Sequence, residues 1–309
     1  MKNISIYMAI CAMTLSACSK DESALQTNEE AYRLEAEICS PDKSRVIIND
    51  KNTQGKSPLH WSETDAFLAF KSAAEISNNA TFYATYATKN GMIIYSPTVD
   101  FYAKTHVDES NIVYGLFPYN KVDVAATSPE LKVAVNPEID IKDSHNAIML
   151  GKKESGSMKF YQTMGLLEMN FTSLEGIDGL QIKANRPIAT KEKGFNATLA
   201  IPGNTRDAKV TLATDDSKTI ILNKGYGSFS KIYCPLPVAN DYTEITISYV
   251  FKVGFNKVIS DTPYVTIKAK NGTFAVDKNI YSVDCTSSNT TYVGASLPKW
   301  NDEDLVSGK

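Results

Sequence analysis

Thiols, imidazoles and neighbouring carboxylates are the side chains of this 309-residue chain whose types could do chemistry. The five cysteines are Cys11, Cys18, Cys39, Cys234 and Cys285, and their spacing fits no metal-ligand pattern. Cys234 and Cys285 can form one disulfide in an oxidising compartment, or stay as half-buried free thiols. The three histidines, His60, His106 and His145, are far apart and lack the helical spacing of a zinc site. They read as solvated loop imidazoles rather than catalysts. Asp215-Asp216 and Asp302-Glu303-Asp304 lack the ligand spacing of a calcium loop and read as solvated turns. There is no Gly-x-Ser-x-Gly elbow and no phosphate-cradling glycine loop. Sixteen tyrosines would be enough for a sugar-stacking platform. Most fall inside β-patterned runs, where tyrosine is a favoured sheet residue, and that reading is preferred. No catalytic residue, metal or cofactor is assigned, so the chain is read as a non-enzyme.

Cys18 is the exception, because of what precedes it. Lys2 gives a positive start, residues 4–15 are an apolar run too short to span a bilayer, and Leu15-Ser16-Ala17 leads to the thiol. That is the layout of a cleaved secretory signal. The Leu-Ser-Ala-Cys ending resembles a bacterial lipoprotein box, in which cleavage leaves the cysteine as residue one and acylates it. Several acyl chains, at about 0.8 kcal/mol per buried methylene, anchor stably where one chain does not. The alternative is an ordinary secretory signal that happens to contain Cys18. Ser19-Lys20-Asp21-Glu22 is similar to the short acidic signal that exports Bacteroidota lipoproteins to the cell surface. Residues 1–17 are therefore expected to be a signal peptide, and residues 18–31 a polar tether that need not fold.

The elements behind this anchor are strands. Hydrophobic residues make up 43% and charged residues 22%, an ordinary globular balance. With a net charge of −3 and no basic patch, nucleic acid is not an expected partner. No second apolar stretch approaches the roughly 20 residues of a membrane helix. Residues 32–38 alternate, with Tyr32, Leu34, Ala36 and Ile38 on one face and Arg33, Glu35 and Glu37 on the other. Pro41 and Asp42 break that strand, and Val46-Ile47-Ile48 is the next apolar run. Further strands are expected at 66–70, 81–88, 92–95 and 111–117. In the second half they are expected at 158–171 (interrupted at Gly165), 179–184, 195–201, 210–213, 219–222, 228–236, 244–253, 264–269, 279–285 and 291–293. Many short strands separated by turn signals predict β-sandwich packing. The length exceeds one sandwich of about 100 residues. Two β-domains are expected, 32–154 and 155–309, with the boundary in the polar stretch 152–157.

Several of these pieces occur in a recognisable order. The lipoprotein box and a strand are followed by Ser44-Arg45-Val46, then by Trp61-x-x-x-Asp65 before the apolar strand at 66–70. Ile112-Val113-Tyr114-Gly115-Leu116-Phe117-Pro118-Tyr119 comes next, and Pro298-Lys299-Trp300 lies near the end. The chain resembles the fimbrillin family of Bacteroidota, the lipoprotein-derived subunits and accessory proteins of type V pili. The resemblance implies an all-β fold of two transthyretin-like β-sandwiches and an outer-membrane, surface-exposed lipoprotein precursor acylated at Cys18. It also implies an arginine-specific protease that cuts between Arg45 and Val46. The first strand then leaves, and its groove takes a donor strand from another fimbrial subunit. Residues 301–309 are polar, so the late donor candidate is 290–297, with Tyr292 and Leu297 as anchors. Polymerisation through this end departs from the family pattern, which leaves stalk, tip and anchor roles open. A surface glycan-binding lipoprotein of a nutrient-uptake system is the alternative.

Overall fold

The computed structural model describes residues 32–39, 61, 65–85, 88–89, 92–93, 98–123, 130–140, 148–224 and 231–297. By contacts the chain divides into Met1–Ala31 and Tyr32–Lys309, and every described residue lies in the second unit. The described elements are strands joined by turns and a few short 3-10 helices.

In chain order the first strands are β1 (Arg33–Ile38), β2 (Ala66–Phe70), β3 (Ala80–Ala84), β4 (Thr88–Lys89), β5 (Met92–Ile93) and β6 (Thr98–Ala103). Next come β7 (Tyr114–Phe117), β8 (Glu130–Val133), β9 (Glu138–Asp140), β10 (Met149–Glu154), β11 (Ser157–Gln162) and β12 (Gly165–Asn170). They are followed by β13 (Gly179–Ala184), β14 (Ala197–Ala200), β15 (Val210–Thr211), β16 (Thr219–Asn223), β17 (Lys231–Leu236) and β18 (Ala239–Tyr242). The last are β19 (Glu244–Val253), β20 (Asn256–Ile259), β21 (Val265–Ala269), β22 (Phe274–Val276), β23 (Ile280–Asp284) and β24 (Asn289–Val293).

The N-terminal strands close on themselves, in the order β1-β11-β10-β7-β2-β3-β6 and back to β1. Alternation fixes what fills this small barrel. On β2, Phe67 and Ala69 point into it, while Leu68 and Phe70 point out into a second core. All five β2 residues are buried for that reason, and the run reads as continuously apolar. The barrel core is aromatic: Trp61, Phe67, Phe82, Phe101, Phe117 and Phe160 surround the inward side chains of β1.

The C-terminal strands form a sheet in the order β17-β12-β23 and a larger one in the order β24-β21-β19-β13-β16-β9, with β20 added beside β19. Leu167, Met169, Ile232 and Val283 from the first sheet share a core with Leu180, Ile182, Ile220, Leu222, Ile245 and Ile267 from the second. That same core takes in Leu68, Leu116 and Leu150 from the outer face of the barrel. The barrel and the C-terminal sheets are thus cemented by one continuous apolar layer.

Chain order and sheet membership interleave. β8 and β9 precede β10, yet they pair with β14 and β16 of the C-terminal sheets. The polar stretch 152–157, expected to carry the domain boundary, comprises the end of β10, a two-residue turn and the start of β11, all within one hairpin of the barrel. Ser155 and Gly156, at φ 50 and φ 91, supply the two left-handed positions that such a two-residue turn requires. The interruption expected at Gly165 falls between β11, which belongs to the barrel, and β12, which begins at Gly165 and belongs to the next sheet. A Cβ on Gly165 would lie 2.5 Å from the Asp277 carbonyl, so this corner admits no side chain. Residues 111–113, expected to open a strand, instead close the 3-10 turn Glu109–Asn111, which the Asp108 carboxylate caps by accepting from the Ser110 amide.

Candidate functional site

β1 is the element on which the sequence reading converges. Leu34, Ala36 and Ile38 are buried, Arg33 and Glu35 are exposed and Glu37 is intermediate, as the alternation requires. Its setting could not be read from alternation. β1 runs antiparallel to β6, with Leu34 opposite Phe101, and parallel to β11, with Ala36 opposite Met158. It is therefore not an edge strand: both of its backbone edges are hydrogen-bonded, and it alone joins β6 to β11. Flanking bonds extend the pairing at each end, from the Cys39 amide to the Phe160 carbonyl at 2.8 Å and from the Ala103 amide to the Tyr32 carbonyl at 3.1 Å.

Side chains lock the strand further. The Trp61 indole N–H donates to the Ala36 carbonyl at 3.0 Å, and its ring meets Phe101, Phe117 and Phe160 edge-on at 4.9 to 5.3 Å. Phe67 stacks on Phe82 with centroids 5.2 Å apart, making the floor beneath the strand. At one end the Lys153 ammonium bridges the Tyr32 hydroxyl, at 3.0 Å, and Glu109. The Lys153 hydrogen bond, and after it the Tyr32 hydroxyl, hold the Glu109 carboxyl below the usual range. At the other end the Cys39 thiol lies beside Tyr161, and Arg206 lies over the Tyr161 ring at 5.1 Å. Burial pushes the Cys39 thiol up, so it is held as a neutral thiol rather than poised as a nucleophile.

The remaining sequence candidates disperse. Cys18, Arg45 and Val46 lie outside the described residues, as do His60, His145, Asp302-Glu303-Asp304 and Pro298-Lys299-Trp300. His106 is exposed on the loop after β6. Asp216 is a turn cap, its two oxygens accepting from the Lys191 and Ala213 amides at 2.9 and 2.8 Å. Cys39, Cys234 and Cys285 are free thiols. β12 lies between the strand of Cys234 and β23, which ends at Asp284 just before Cys285. Two strand spacings, about 9.5 Å, exceed the roughly 7 Å reach of a disulfide. Burial pushes Cys285 up to about 12 and Cys234 further up still. Among the described residues no group of three or more His, Cys, Asp or Glu could hold a metal ion, and no helix is long and apolar enough to cross a membrane.

Sequence reasoning missed β6, the antiparallel partner of β1. Its signal was the alternation of Val99, Phe101 and Ala103, masked by Asp100 in the middle of so short a run. β10 was missed because Lys152-Lys153-Glu154 reads as a linker.

No family model matches the chain, and no curated protein matches it. Solved structures to which it is similar include a proposed cell adhesion protein from Bacteroides uniformis, at 13% identity and TM-score 0.40, covering 84% of this chain and 94% of that one. A proposed cell adhesion protein from Bacteroides ovatus gives 9% and 0.40, over 83% and 93% of the two chains. A fimbrial protein from the same species gives 12% and 0.31, over 86% and 50%.

Proposed function

We propose that the chain is a surface-exposed outer-membrane lipoprotein and a structural or adhesive component of a type V fimbria. In this reading Cys18 carries the lipid, an arginine-specific protease cuts between Arg45 and Val46, and another fimbrial subunit then inserts a donor strand. The observation that carries it is the position of β1, which closes the barrel between β6 and β11. Losing an edge strand would leave the rest of a sheet intact. Losing this one would expose two unpaired strand edges and a slot floored by Phe67, Phe82, Phe101 and Phe160, an arrangement open to strand addition. A replacement with three alternating apolar residues regains that burial, and each backbone hydrogen bond adds roughly 0.5 to 1.5 kcal/mol net. The cut separates the lipid from the body, so neighbouring subunits must then hold it at the surface.

The late segment has a place of its own. β24 pairs in parallel with β21 at the end of the larger sheet, and Leu297 is buried. Tyr292, the other expected anchor of a donor strand, is 59% exposed. This favours a subunit that accepts a strand over one that donates 290–297.

The test is N-terminal sequencing of protein sheared from cells, for the wild type and for Arg45→Ala. The expected wild-type chain begins at Val46, and the variant should retain Cys18. Chains that begin at Cys18 in both would overturn strand exchange and favour an anchored binding protein.

A further inference from the structure

At the end of the barrel where β2 leaves and β3 enters lies an open cavity of about 240 Å³. Its walls are the end of the 3-10 turn Ala73–Asn78, the start of β3 and the loop that follows β6. Asn78, Asn79, His106, Asp108 and Asn111 line it, together with the Thr105 hydroxyl. We propose that this cavity binds one neutral sugar residue of a glycan, gripped through its hydroxyls by these side chains.

The chemistry of the lining selects the ligand. Three carboxamides, a hydroxyl and an imidazole both donate and accept, as a ring of vicinal hydroxyls does. Asp108 adds one ionised acceptor, its carboxyl held low by the Ser110 amide and hydroxyl. A carboxylate on hydroxyl donors makes the stronger, charge-assisted kind of hydrogen bond. Ala80 and Val107, both partly exposed, leave a small apolar patch for the C–H face of a ring. The described lining holds no lysine or arginine for a phosphate or a sugar acid, and no phenylalanine, tyrosine or tryptophan ring to stack on a nucleobase. The volume falls just under the roughly 300 to 1,000 Å³ of drug-sized sites, which suits one sugar ring rather than a long oligosaccharide.

The walls are also held in place. The Asn79 amide donates to the Ile76 carbonyl at 2.7 Å, which leaves its oxygen for a ligand. Asp108 accepts from the Ser110 amide at 2.9 Å through one oxygen, and its carbonyl accepts from the Asn111 amide at 3.0 Å. Fixed acceptors lose less freedom on binding, so weak individual contacts add up. The site does not rest on strand exchange.

The experiment is a glycan array followed by titration of the full chain, purified in detergent, with the sugars that score. The wild type should bind a subset of neutral glycans saturably. Asp108→Asn keeps the turn cap, since asparagine caps as well as aspartate, and should weaken binding about tenfold through loss of the charge-assisted bond. Asn78→Ala, at an exposed position, should weaken it severalfold with an unchanged melting curve. Arg45→Ala should bind like the wild type, which separates this site from the β1 slot. Absence of saturable glycan binding, preference for acidic glycans alone, or wild-type affinity in both cavity variants would each overturn the proposal.

Discussion

Gly115 and Gly151 face each other across β7 and β10, and the Phe160 ring lies over both. A Cβ at Gly115 would come within 2.7 Å of that ring, and one at Gly151 within 3.0 Å. The ring cannot retreat, because Trp61 stands edge-on to it at 5.3 Å and Phe67 at 5.0 Å. Gly115→Ala should therefore cost about 1 to 3 kcal/mol, the range for overpacking a filled core. Gly203→Ala, with nothing within 4 Å of its Cβ, should stay within about 0.5 kcal/mol of the wild type. Urea denaturation of the two variants checks the pair, and equal midpoints would contradict an aromatic core packed this tightly beneath β1.

At the scale of the element, β1 predicts its own tolerance. Leu34 is 2% exposed inside the aromatic barrel, while its neighbour Glu35 points to solvent. Leu34→Ala should lose about 2 to 5 kcal/mol, and Glu35→Ala should change stability by no more than about 0.5 kcal/mol. Thermal melts of the uncleaved chain report both. Similar losses at the two positions would mean that β1 is held by its backbone pairing alone, and a donor strand would then need no particular alternation. The β10–β11 hairpin sets the other wall of the slot, since β11 pairs with β1 on one side and β10 on the other.

Over the whole molecule, burial of neutral thiols and phenols decides the alkaline limit. Cys285 is raised from 9.0 to about 12, and Cys234, Tyr242 and Tyr249 are also raised, all mainly by burial. Between pH 9 and about 12 the folded chain keeps protons that the unfolded chain has released. Stability is thus fully present below pH 9 and lost as the pH rises through that window. Lys278 opposes this: burial lowers it from 10.5 to about 8, so the cost of its buried charge is relieved between pH 8 and 10.5. Four raised groups outweigh one lowered group, and the denaturation midpoint should fall steadily above pH 9. Lys278→Met should steepen that fall. A midpoint flat from pH 8.5 to 11 would contradict the burial of these groups.

The sequence by itself determined the all-β class and the faces of β1. Both are local properties, because period-two alternation reports which side of a strand is buried. The Ser155-Gly156 turn was illegible, since its polar flanks read as a linker. The sequence placed Asp215-Asp216 in a turn, but that Asp216 accepts from the Lys191 and Ala213 amides only the fold decided. Only the tertiary structure decided that β1 sits between β6 and β11, that β8 and β9 join sheets formed mostly later in the chain, and that β24 is already paired. Strand partners are chosen by the global fit of buried faces, which alternation leaves undetermined. Cys234 and Cys285 show the same limit, since two thiols compatible with a bridge were kept apart by the one strand between them. The polar cavity beside β3 was illegible for a related reason. Asn78, Asn79, His106, Asp108 and Asn111 come from two loops that meet only because β2, β3 and β6 lie side by side in the barrel.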